Sequence, residues 1–243
     1  MYIFLYSIFL IENRVVSTMA MQLLILALPG ILLSRAPFLG PVGSVPGERC
    51  SDFWHGKPVL LTGASSGLGK ALSIELASRG ARLVLAARRQ DRLESVASAC
   101  SALAPANSVR PAVLVLDACA APAVLEAKVA EATALLGGRI DVLLSAAGVG
   151  QRSSVLATSA ESHRQIMGAN FEGNVALTRA VLPAMVEQKE GNICMVSSVQ
   201  GFFGQPYRSS YAASKAAVFG FFDALRAEVA PANVKVTIIA PGD

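Results

Sequence analysis

The feature that most constrains this chain is a short apolar run, residues 58–62, that passes directly into Thr62-Gly63-Ala64-Ser65-Ser66-Gly67-Leu68-Gly69 and then into a helical pattern closed by Gly80. A strand that feeds a glycine-rich turn opening a helix is the first half of a βαβ unit, and such units pack as a parallel sheet covered by helices. Gly63 permits the tight turn, Gly67 lets the main chain approach a pyrophosphate, and Gly69 lets the helix lie close on the strand. Ser65, Ser66 and Leu68 complete the turn. The free N–H groups and partial positive charge of the helix N-terminus favour phosphate. Glycines alone would suit an ordinary turn, but strand, glycines and helix together predict dinucleotide binding.

The alternation continues. Strands are expected at 58–62, 82–86, 112–116, 140–145, 192–197 and 234–240, with helices at about 68–79, 91–104, 123–136, 160–188 and 207–230. The strands read as nearly continuous apolar runs, as strands buried on both faces do. The expected fold is therefore α/β, a doubly wound parallel sheet of Rossmann type in three layers, occupying residues 53–243.

The 53% hydrophobic and 16% charged content leaves fewer charges than the roughly 25% usual for soluble domains, and much of the apolar excess lies near the start. Residues 15–33 carry no charge and as a helix would reach roughly 28 Å, close to a bilayer's hydrocarbon thickness. Ser17, Thr18, Gln22, Pro29 and Gly30 weaken that segment, yet no A-x-A cleavage site follows it. An uncleaved anchor within residues 1–33 is favoured over a signal peptide. Arg35, Arg49 and Lys57 after the span, against Arg14 before it, point to a cytosolic domain. Residues 34–52, rich in proline and glycine, read as a linker.

The net charge of +4 is scattered rather than gathered into a basic, aromatic-laced face, which sets nucleic acid aside. Cys50, Cys100, Cys119 and Cys194 lie far apart, and His55 and His163 stand alone, so no metal site and no disulfide framework is expected.

The carboxyl end of the second strand selects between dinucleotides. Here it reads Leu85-Ala86-Ala87-Arg88-Arg89, without the carboxylate that would bind a ribose 2′-hydroxyl. Arg88 can pair with a 2′-phosphate, so NADP(H) is expected over NAD(H); the alternative is a solvated loop. Asp117, at the end of the third strand, either accepts a bond from an adenine amino group or caps the next helix. Further on, Tyr211 and Lys215 in Tyr-Ala-Ala-Ser-Lys share one helix face. A phenol ordinarily ionises near pH 10, and an ammonium one turn away favours its phenolate, which suits a tyrosine to proton exchange with a carbonyl or alcohol.

These segments, with Asn170 and Ser198 in their order and spacing, resemble the short-chain dehydrogenase/reductase family from about residue 56 to the end. The resemblance implies Tyr211 as catalytic acid/base and Ser198, thirteen positions before it, as the hydroxyl that holds the substrate carbonyl. It further implies Asn170 as holder of a water relaying protons to Lys215, and Lys215 as partner of the nicotinamide ribose. Gly148, Pro241 and Gly242 are implied cofactor contacts. It implies a hydrophobic carbonyl or alcohol substrate, lipid or steroid-like, an anchored protein of the endoplasmic reticulum, and a homodimer paired through the two longest helices. The family's Asn-Asn-Ala-Gly reads Ser145-Ala146-Ala147-Gly148 here, which removes an amide at Ala146. Beyond Pro241-Gly242-Asp243 the family continues through a substrate lid and a seventh strand, so both are expected to lie outside this sequence. A competing expectation is therefore a non-catalytic dinucleotide-binding or interaction module.

Overall fold

The computed structural model describes residues 53–242. The expected anchor over 1–33 and linker over 34–52 lie outside the described residues. Among the described residues no helix is long and apolar enough to cross a membrane.

The strands are β1 (Pro58–Thr62), β2 (Arg82–Ala87), β3 (Ala112–Val115), β4 (Val142–Ser145), β5 (Gly191–Val196) and β6 (Val234–Ile239). Between them run α1 (Gly67–Ser78), α2 (Gln90–Leu103), α3 (Pro122–Leu135), α4 (Ala160–Met167), α5 (Gly173–Gln188) and α6 (Ser209–Val229). The strands are parallel throughout, in the order β3-β2-β1-β4-β5-β6. The order reverses between β1 and β4, which is where open α/β sheets leave a crevice at the carboxyl ends of their strands.

Successive strand side chains point to opposite faces, so the sheet has two cores. Leu60, Val84, Leu114, Leu143 and Ile193 pack with Leu125 and Val129 of α3, Leu177 and Val181 of α5, and Val218 and Phe222 of α6. On the other face Val59, Leu61, Leu83, Leu85, Val142 and Leu144 meet Leu72 and Leu76 of α1, Leu93 and Val96 of α2, and Trp54. This double burial explains why the strands carry no polar alternation.

The long helix expected over 160–188 is two helices, α4 and α5, joined by a π-helical turn over Gly168–Glu172. The helix expected from 207 begins at Ser209, because Tyr207 takes a left-handed φ of 66° that no helix can include.

Candidate active site

The carboxyl ends of β1, β2, β3 and β4 enclose a cavity of about 300 Å³ at the point where the strand order reverses. Of the residues expected to hold a cofactor, Gly63, Ser65, Ser66, Gly67, Leu68, Gly69, Arg88, Asp117 and Gly148 all line it. The glycines are needed sterically. A Cβ on Gly63 would stand 2.6 Å from the main chain of Ala146 and Ala147, and one on Gly69 would stand 2.2 Å from the Gly63 carbonyl. Gly67, at φ +53°, presents bare main chain. Ser66 makes no side-chain cap and the first turn of α1 holds no acidic residue, so nothing there offsets the positive end of the helix dipole. This cradle fits a pyrophosphate.

Arg88 and Arg89 are both exposed on the cavity's rim. Arg89, to which the sequence assigns no role beyond a solvated loop, donates to the hydroxyls of Ser65 at 3.2 Å and Ser66 at 3.4 Å. Asp117 Oδ1 accepts from the Cys119 amide at 3.0 Å. That bond shapes the loop and does not cap α3, whose N-cap is Ala121; Asp117 itself lines the cavity.

The second half of the site is built on α6. Tyr211 and Lys215 share its face, with Lys215 Nζ 5.8 Å from the Tyr211 ring centroid. Lys215 is buried and donates to the Val196 carbonyl at 2.9 Å; burial lowers its pKa to about 8. Asn170 lies on the π-helical turn, fully buried. Its Oδ1 accepts from Val149 N at 2.7 Å, and its Nδ2 donates to Val149 O and to Ser214 Oγ, each at 3.0 Å. Ser198 Oγ accepts from Gln200 N at 3.1 Å, which leaves its own O–H to donate. Its neighbour Ser197 donates to the Lys215 carbonyl at 3.1 Å. Pro241 accepts from Val199 N at 3.1 Å, and neither Pro241 nor Gly242 lines the cavity.

Cavity and pair meet at Gly148, where a Cβ would lie 3.1 Å from Asn170 Oδ1 and 3.6 Å from Lys215 Nζ. The amide absent at Ala146 has a visible counterpart nearby. Thr62 and Ser145, partners in register, carry buried hydroxyls that find no hydrogen-bond partner among the described residues.

A doubly wound parallel sheet with a glycine turn at its switch point, and a half-buried tyrosine beside a buried lysine next to it, defines a protein of the dinucleotide-binding class. The chain belongs to the short chain dehydrogenase family, whose pattern matches residues 57–243 and whose members bind NAD or NADP. It is 42% identical over 218 residues to a "Dehydrogenase/reductase SDR family protein 7-like" of Anopheles gambiae, covering 89% of this chain and 66% of that one. It is 41% identical over 194 residues to the "Dehydrogenase/reductase SDR family member 7B" of Mus musculus, covering 80% and 59%. A solved metagenomic short-chain oxidoreductase in complex with NADP superposes with a TM-score of 0.72 at 30% identity, covering 78% of this chain and 84% of that one. The chain thus matches less than two thirds of the length of these two curated relatives.

Proposed function

We propose that this chain is the catalytic domain of an NADP(H)-dependent oxidoreductase that interconverts a carbonyl and an alcohol on a hydrophobic substrate, with Tyr211 as acid/base. The observation that carries the reading is the junction at Gly148, where a cavity shaped for a dinucleotide abuts the buried ammonium beside Tyr211. The bound nicotinamide supplies or accepts the hydride. The turn from Gly63 to Gly69 holds the pyrophosphate, Asp117 the adenine, and Lys215 the ribose. Pro241 and Gly242, which lie outside this cavity, are assigned to the cofactor by the family resemblance alone. Arg88, helped by Arg89, receives a 2′-phosphate.

Tyr211 gives its proton to the carbonyl oxygen in reduction and takes it back in oxidation, and the cation of Lys215 favours the phenolate left behind. Ser198, whose O–H remains to donate, orients the carbonyl. The side-chain amide of Asn170 is committed to Val149 and Ser214, and its main-chain carbonyl, which accepts from Asn174 Nδ2 at 3.1 Å, has a second lone pair with which to hold the relay water. Support for a hydrophobic substrate comes from the exposed Val155, Leu156 and Phe202, on two loops joined beside Tyr211 by the bond from Ser153 N to Tyr207 O.

The test is titration of the full chain in detergent with NADPH and NADH, followed by NADPH consumption with long-chain ketones. NADPH should bind at least about tenfold more tightly than NADH, a difference of about 1.4 kcal/mol. Arg88→Ala should remove most of that preference, and Tyr211→Phe should retain binding but lose turnover. Binding without turnover in the wild type would favour the non-catalytic module, and no binding of either nucleotide would end the reading. The same proposal anchors the protein through residues 15–33 in the endoplasmic reticulum with its domain cytosolic, and pairs two copies through α4–α5 and α6. Protease protection of microsomes and analytical ultracentrifugation test those two points.

A further inference from the structure

The helix that carries Tyr211 has no cap of its own. Arg208, its N-cap residue, makes no side-chain capping bond, although the first N–H groups of any helix lack intrahelical partners. Gln151 fills that place from some sixty residues upstream. Its Oε1 accepts from Ser210 N at 2.7 Å and from Tyr211 N at 3.1 Å. Its Nε2 donates to Thr158 Oγ1 at 2.8 Å, and that hydroxyl donates to Ser154 O at 2.7 Å. Gln151 is only 6% exposed, although it lies on a loop.

That loop is tied at both ends to the site. Gly148 lines the cavity, Val149 is bonded on both main-chain polar groups by Asn170, and Ser153 N donates to Tyr207 O. One short stretch of chain therefore runs from the cavity to the main chain of Tyr211, and the Gln151 amide is its contact with that residue. The uncharged character of this acceptor also matters. Around Tyr211 stand the guanidinium of Arg208, 5.9 Å from the ring centroid, and the ammonium of Lys215 at 5.8 Å. His163 of α4 is bonded through Nδ1 to Ser210 Oγ at 3.0 Å. A carboxylate in place of the amide would satisfy the same N–H groups while opposing the phenolate that these cations and the helix N-terminus favour.

We propose that Gln151 is a positioning residue for Tyr211, a remote cap that fixes the start of α6 against the cavity loop without adding negative charge; this rests on the reading of Tyr211 as acid/base. The test uses the full chain in detergent as wild type, Gln151→Leu and Gln151→Glu. Amide hydrogen exchange is read at Ser210 and Tyr211, and the ionisation of Tyr211 is read from tyrosinate absorbance by difference against Tyr211→Phe. Gln151→Leu should speed exchange at the two amides at least about tenfold. Gln151→Glu should keep exchange slow yet move the Tyr211 titration upward by about one pH unit, a signature that a purely structural contact would not give. Unchanged exchange in the leucine variant, or an unmoved titration in the glutamate variant, overturns the proposal. NADPH binding to the wild type is followed in parallel. Its absence would sink the functional reading while exchange and titration still judged the cap.

Discussion

Burial of Lys215 governs the charge of the site. Its Nζ is withdrawn from water, and desolvation lowers its pKa from 10.5 to about 8. In the unfolded chain the amine holds its proton until about pH 10.4. Between those limits unfolding takes up a proton, so this group makes the folded state relatively more stable as pH rises. The cost of burying the cation is full below about pH 8 and relieved above about pH 10.5, a swing of about 3 kcal/mol. Lys215→Met keeps most of the stem and removes the swing. In denaturant melts of cofactor-free protein, the wild type should therefore gain stability relative to the variant between about pH 8 and pH 10; parallel curves would mean that the ammonium is not desolvated. The Tyr211–Lys215 pairing was legible in the sequence because i, i+4 spacing carries its own geometry. Lysine burial was not, since it depends on Val196 and Gly148, brought in from β5 and the end of β4. The same holds for Gln151, whose role is set by a fold-dependent meeting with α6, and for Arg89, which was distinguishable from Arg88 only once the glycine turn was placed beside it.

Between residues 160 and 188 the apolar spacing fits one helix, and the chain instead forms α4, a π-helical turn and α5. The cause lies outside the helix. A Cβ on Gly173 would stand 1.9 Å from the carbonyl of Ala118, on the loop that carries Asp117, so the helix and the β3 loop share space that only glycine allows. The widened turn places Asn170 against Val149 and Ser214, and such π-helical insertions recur at functional sites. Periodicity reports which face of a helix is buried and is blind to a local widening imposed by a neighbouring loop. Gly173→Ala should cost about 3 kcal/mol through a main-chain clash, and it should weaken NADPH binding because Asp117 and Ala118 line the cavity. Gly220 is the contrast. It sits inside α6, exposed, with nothing within 4 Å of an added Cβ, so Gly220→Ala should stabilise by about 0.5–1 kcal/mol without changing affinity. Thermal melts and NADPH titrations of the pair check both, and equal effects at the two glycines would refute the steric account.

Across the whole molecule the parallel sheet separates stability from chemistry by placing them at opposite ends of its strands. The carboxyl ends form the cavity, and the amino ends of β1, β4 and β5 are tied by charge. Asp141, only 5% exposed, is paired with Arg139 and lies 3.6 Å from Lys57. Lys57 and Arg139 also reach Glu190 at 2.9 and 3.2 Å, and the hydrogen bond from Lys57 is the main cause that holds the Glu190 carboxyl below its ordinary pKa. The Asp141 main chain joins the same strands, donating to Pro58 O and accepting from Asn192 N. The alternation of elements foretold a parallel sheet and therefore the end at which a ligand would sit. It did not foretell this cluster, because Lys57, the Arg139–Asp141 pair and Glu190 come from three distant stretches of sequence and become neighbours only through the register of β1, β4 and β5. Asp141→Asn keeps the shape, loses the charge, and leaves two cations facing a single carboxylate, so it should cost about 2–3 kcal/mol. The NADPH dissociation constant, measured well below the melting transition, should stay within about twofold, since 1 kcal/mol transmitted along the strands would already change it about fivefold. Should affinity fall in step with stability, the two ends of the sheet are energetically coupled and the division of labour drawn from the fold is wrong.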